Sequence, residues 1–184
     1  MSFVNAHFVS YAQDLGYHPM VAAAGFSIIG FMAIVGGVGL GHLSDKRGRR
    51  QILSYSFHLR TLGFVVVLLS MGISFLGLPP LGLSALLVGI MLVGLSWNAV
   101  VGITAAYASD RFGVKNLGTV YGVMFAVMPL GAGLGAFLGG ALYDVRGTYD
   151  AAIWSNIVLL LVSGFLVSIR ERHHVPEEAV AAAD

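Results

Sequence analysis

The chain has 184 residues, 57% of them hydrophobic and only 10% charged, against about a quarter charged in a water-soluble domain. That composition argues against a soluble fold, and the absence of cysteine excludes disulfides, thiol catalysis and thiolate metal sites. The formal net charge of +1 is uninformative by itself; the placement of the charges is what matters.

Residues 1–13 mix apolar Phe3, Val4, Phe8 and Val9 with polar Asn5, His7, Ser10, Tyr11 and Gln13. This stretch is too short to span a bilayer. It reads as the last half of a helix whose beginning lies outside the sequence; an interfacial amphipathic helix is the alternative. Five longer apolar runs follow, at residues 20–42, 52–76, 82–107, 117–142 and 151–169. Each approaches or exceeds the roughly 20 residues that carry a helix across the hydrocarbon core. Helices are expected because open strands leave backbone groups unpaired in lipid. The breaks carry turn residues: Pro79-Pro80, Asp110-Arg111-Phe112-Gly113 and Arg146-Gly147-Thr148.

Lys and Arg alternate between connections. The connection after the first run holds Lys46, Arg47, Arg49 and Arg50; that after the third holds Arg111 and Lys115; the tail holds Arg170 and Arg172. The intervening connections hold none, except Arg146, which sits between Asp144 and Asp150. By the positive-inside rule, the basic connections and the C-terminal tail are expected in the cytoplasm of a multi-pass plasma-membrane protein.

A shift of 99 residues superposes Gly41-x-Leu43-x-Asp45-x-Arg47-Gly48 on Gly140-x-Leu142-x-Asp144-x-Arg146-Gly147. One copy closes the first run and the other the fourth, so the copies fall on opposite sides of the membrane. This is the pattern of an inverted three-helix repeat. It divides the chain into residues 1–76, 82–169 and a tail, 170–184.

The loop Gly41-His42-Leu43-Ser44-Asp45-Lys46-Arg47-Gly48-Arg49-Arg50 resembles the signature loop of the major facilitator superfamily, matching it at Gly41, Leu43, Asp45, Gly48, Arg49, Arg50 and Leu53, with Lys46 a conservative substitute. Three stretches are similar to its monocarboxylate-porter-like branch: residues 7–16, Phe112-Gly113 with residues 117–122, and residues 140–149. The resemblance implies an all-α membrane fold: five full transmembrane helices plus a truncated first one, together the C-terminal half of a twelve-helix transporter. It implies secondary transport by alternating access of a small organic anion such as a monocarboxylate, with proton coupling open. A non-transporting scaffold or regulatory partner is the alternative. An enzyme is not expected, since no metalloprotease or nucleophile-elbow motif is present, and neither is a P-loop. The partners implied are the lipid bilayer, the other transporter half or a second copy, and a small-molecule substrate. No nucleic acid, cofactor or metal is expected; His173-His174 makes a weak site.

The resemblance gives Gly41, Asp45, Lys46, Gly48, Arg49 and Arg50 a gating role. A carboxylate at a helix C-terminus is unfavourable toward the helix dipole and needs a cation, which Arg49 or Arg50 supplies. Gly41 and Gly48 are expected to allow tight packing and a sharp turn. Arg60 lies inside an apolar run, about 13 Å along its helix from Gln51; substrate attraction, pairing and snorkelling all remain open for it. Trp97 and Asn98 sit near the middle of the third run, which the resemblance makes a cavity liner. Tyr121 and Met124, with Asn5, His7 and Tyr11, are further lining candidates. Glycines crowd the first and fourth runs and are expected to form smooth helix–helix faces, with Pro129 expected to kink the fourth.

Overall fold

The computed structural model describes residues 2–73 and 77–169. They form seven α-helices: α1 (Ser2–Asp14), α2 (Pro19–Arg47), α3 (Arg49–Met71), α4 (Gly82–Leu95), α5 (Trp97–Phe112), α6 (Leu117–Arg146) and α7 (Asp150–Ser168). A 3-10 turn at Val114–Asn116 leads into α6. Five stretches are long and apolar enough to cross a membrane: α2, α3, α4 with α5, the 3-10 turn with α6, and α7. The fold is all-α, as expected; among the described residues the β pairing is confined to one bridge between Ile73 and Leu78. The tail at 170–184, with His173-His174, lies outside the described residues, as do positions 74–76 at the expected end of the second run.

The basic stretch is not the ten-residue loop expected. Helix α2 runs on through Asp45, Lys46 and Arg47, and α3 starts at Arg49. The whole reversal rests on Gly48, whose φ of 97° lies where only glycine is at ease. Its N–H caps the Ser44 carbonyl at 3.0 Å, and its own carbonyl accepts from Ile52 N–H at 3.3 Å. Once Gly48 takes the turn, the charged residues on either side stay helical, with their heads at the boundary where water is available.

The third run also differs from a single uninterrupted helix. It divides at Ser96 into α4 and α5 and extends to Phe112. Pro129, by contrast, lies within an α6 that runs unbroken from Leu117 to Arg146.

Packing is uneven. Helix α3 is the most enclosed, packed on α4 and α7, while α2 packs on α4 and α5. Over half of the apolar window of α3 is buried (56%), against 6% for the α6 stretch. In lipid an exposed apolar face carries no hydrophobic penalty; association depends instead on close contact of small residues. The contacts that use this are few. A Cβ at Gly63 would meet the Gly89 carbonyl at 2.9 Å, and one at Gly89 the Gly63 carbonyl at 2.9 Å, so α3 and α4 touch backbone to backbone. A Cβ at Gly36 would collide with the Leu95 carbonyl, and one at Gly94 would lie 2.8 Å from the Ile29 carbonyl. Gly30, Gly39, Gly41, Gly131 and Gly133 have nothing within 4 Å of that position. The smooth faces expected along α2 and α6 are therefore used at Gly36 but not at these five, and Gly41 serves no tight packing here.

Helix α2 packs on α4 and α5, and α6 packs on α1. Helices α3 and α7 pack on each other.

Candidate functional site

At the basic end, Arg49 joins three helices. From the start of α3 its Nη1 donates to Asp110 Oδ1 and to the Ala106 carbonyl, both at 2.6 Å, on α5. Its Nη2 lies 3.6 Å from Asp45 Oδ1 on α2. The side chains are not deeply buried: Asp45 is 63% and Asp110 56% exposed, Arg49 29%. Each ion pair in such a setting contributes only about 0.2–1 kcal/mol, and the bond to a carbonyl about 1.5–3 kcal/mol because the donor is charged. The sum is of the size that biases a conformational equilibrium without locking it. Asp110 was legible in the sequence only as part of a turn; its signal was that it is the carboxylate closing the third run on the same side as Asp45.

The other signature residues separate from this network. Arg50 turns to the opposite side of α3, where Nη1 donates to the carbonyls of Ser168 (3.3 Å) and Ile169 (2.9 Å) at the end of α7. Lys46 is exposed. Gly48 supplies the turn.

The residues proposed as cavity lining divide in the same way. Arg60 is 4% exposed and faces the α4/α5 junction: Nε donates to Ser96 Oγ at 2.9 Å and Nη2 to the Ser96 carbonyl at 2.5 Å. It neither snorkels nor opens into a cavity, because those two acceptors hold it inside. Tyr11 is 1% exposed, its hydroxyl donating to the Val67 carbonyl at 3.1 Å; it ties α1 to α3. Trp97 is half-buried against the main core cluster. Asn98 is exposed beside Gly37, and Asn5 and Met124 are exposed as well. His7 Nε2 sits 3.0 Å from the Ala136 carbonyl, linking α1 to α6. Tyr121 donates to the Val101 carbonyl at 3.1 Å, linking α6 to α5. Helices α1, α2, α5 and α6 thus touch in cyclic order, and the exposed polar candidates Asn5 and Asn98 lie on this group.

At the non-basic end the aromatic rings gather. Tyr143 stacks on Tyr149 at 4.3 Å, and His7 and Tyr11 lie 5.4 and 6.1 Å from the same ring. Burial, then the nearby Asp14 charge, raises the Tyr149 phenol above its ordinary pKa. Of this cluster the sequence candidates held His7 and Tyr11 but not Tyr143 or Tyr149, although those two stood in the quoted stretch.

A family model described as Major Facilitator Superfamily matches residues 1–184. The chain belongs to that superfamily. Among its superfamily relatives, an uncharacterized MFS-type transporter, YcxA, of Bacillus subtilis is 27% identical over 95% of this chain and 43% of its own length. A triacylglyceride transporter of Mycobacteroides abscessus is 29% identical over 75% of this chain and 25% of its own. Monocarboxylate transporter 12-B of Danio rerio is 27% identical over 88% and 32%. The chain therefore spans less than half the length of each of these relatives. No solved structure matches it significantly.

Proposed function

We propose that this chain forms the C-terminal six-helix half of a secondary transporter that works by alternating access. The observation that carries the reading is the Arg49 bridge from α2 to α5. A bond network that ties three helices at one end of a bundle must break or shift when that end opens, so it biases the equilibrium between the two access states. The α1, α2, α5 and α6 group is the face on which the other six-helix unit closes. Asn98, Asn5, Tyr121 and Met124 are the residues assigned to the substrate path. Arg60 and Tyr11 are assigned to holding the helices that carry it. The proposed substrate is a small organic anion such as a monocarboxylate, the class named in one group of relatives, with proton coupling proposed through His7.

The test is uptake by the full-length protein in proteoliposomes against a panel of labelled organic acids. Movement of at least one is expected, and Arg49→Gln lowers its rate roughly 5–150-fold, the range spanned by coupling free energies of about 1–3 kcal/mol. Failure to move any acid ends the anion proposal. A rate unchanged by Arg49→Gln ends the gating role.

The basic end is assigned to the cytoplasm. This chain contains no cysteine of its own, so a thiol placed in it reports its side of the membrane once any cysteine elsewhere in the protein is removed. Val145, 85% exposed at the other end, replaced by cysteine should react with a membrane-impermeant maleimide on intact cells. Lys46→Cys should react only after permeabilisation; the reverse pattern inverts the orientation.

A further inference from the structure

We propose that the cleft between α3 and α7 at the basic end binds the phosphate of an anionic phospholipid headgroup, with Arg50 as its cation. The cleft has a volume of about 220 Å³ and is lined by Arg50, Gln51, Ser54, Tyr55 and Ser168. The Ser54 and Ser168 protons are already given to the Gly164 and Phe165 carbonyls; among the described residues the cleft's donors are the Arg50 guanidinium, the Gln51 amide and the Tyr55 hydroxyl, and no carboxylate lines it. That is a donor set for a phosphate oxygen.

Arg50 is held in place rather than free to swing. Nη1 is anchored on the two carbonyls that end α7, while among the described residues nothing partners Nε or Nη2. A guanidinium with one nitrogen anchored presents its remaining N–H groups in a fixed fork. Lys46 and Arg47, exposed one turn away across Gly48, add positive potential at the same boundary, where basic clusters attract anionic lipid.

The cleft also has a floor. Ser54 Oγ donates to the Gly164 carbonyl at 2.9 Å, and a Cβ at Gly164 would fall 2.7 Å from the His58 ring. Helices α3 and α7 are thus clamped together one to two turns deeper than Arg50, and a bound group stays at headgroup level. On the membrane side the surface turns apolar: Leu62 on α3 is 52% exposed, with Leu161 and Phe165 on α7 at 46% and 64%. Tyr55, 58% exposed, stands between the polar cleft and this strip, the level at which amphipathic rings settle in membranes. A ligand with a charged head and an acyl tail fits this sequence of surfaces; a free ion uses only the first part of it.

The experiment is native mass spectrometry of the purified, detergent-solubilised full-length protein titrated with phosphatidylglycerol and with phosphatidylcholine of the same acyl composition. Phosphatidylglycerol is expected to bind at least tenfold more tightly, and Arg50→Gln should remove most of that preference. Because Arg50 also caps α7, Gln51→Glu serves as the second variant. It places a carboxylate in the cleft at nearly unchanged size and should weaken phosphatidylglycerol at least fivefold while leaving phosphatidylcholine within twofold. Lys115→Gln, on a different basic connection, should leave both within twofold. Equal binding of the two lipids, or no effect of Gln51→Glu, overturns the proposal. So does full displacement of the lipid by millimolar inorganic phosphate, which would make the site one for a free anion. A more than tenfold gain in lipid affinity on removing residues 170–184 would assign the cleft to the chain's own tail instead.

Discussion

Replacing Gly36 with alanine should destabilise the helix bundle by about 3 kcal/mol or more, beyond the usual 1–3 kcal/mol of overpacking. The added methyl would land on the Leu95 carbonyl and within 2.6 Å of Leu95 Cα. Both are backbone atoms at the last residue of α4, so no rotamer change relieves the clash. Relief requires α2 to move away from α4 and α5, which are its main partners. The control is Gly30→Ala on the same helix, where the methyl meets nothing within 4 Å. There, loss of glycine's backbone freedom gives a change between zero and a gain of about 1 kcal/mol. Unfolding in a denaturing-detergent titration, followed by circular dichroism, separates the two variants. Equal behaviour would mean that α2 and α4 do not approach at Gly36.

The same pair shows where sequence reading stops. Gly30 and Gly36 sit in one glycine-rich run and look alike in it. Which of them meets another backbone depends on the crossing point of α2 over the α4/α5 junction, a tertiary fact. The five spans were legible because a long run of apolar residues has few ways to exist in a membrane. Helix ends were less so: Asp45, Lys46 and Arg47 look like loop residues by charge, yet all three have backbone bonds available to them in α2, and Gly48 alone is enough to turn the chain. The residues proposed to gate were half legible. Asp45 and Arg49 came from one short motif; Asp110, which Arg49 approaches most closely, lies 61 positions further on, and its place in a turn at the end of the third run does not name Arg49 as its partner. Ser96 was invisible for the same reason. Serine is neutral within helices, and the residue that gives it meaning stands 36 positions away.

That residue is Arg60, and the pair is expected to respond asymmetrically to substitution. A guanidinium 4% exposed at membrane depth is costly, and among the described residues no carboxylate pairs with it. Its desolvation is offset by the bonds to Ser96 Oγ and the Ser96 carbonyl. Ser96 Oγ also donates to the Val93 carbonyl at 2.9 Å, so one hydroxyl serves both the cation and the end of α4. Removing the acceptor leaves the cation buried with one partner fewer, and Ser96→Ala should cost about 1–3 kcal/mol. Removing the cation is different. Arg60→Met replaces it with an apolar chain of similar length, and such replacements are often neutral or stabilising. Arg60→Met should therefore hold stability within about 1 kcal/mol, and Arg60→Met with Ser96→Ala should be no worse than Ser96→Ala alone. Transport gives the second reading. Ser96 carries the break after which Trp97 and Asn98 begin α5, so Arg60→Met, though stable, frees that junction and should lower the rate of the full-length protein. If Arg60→Met instead proves as damaging to stability as Ser96→Ala, the cation is a structural bolt and the junction has no positioning role. If it leaves both stability and rate unchanged, the bond to Ser96 does not act on the substrate path at all.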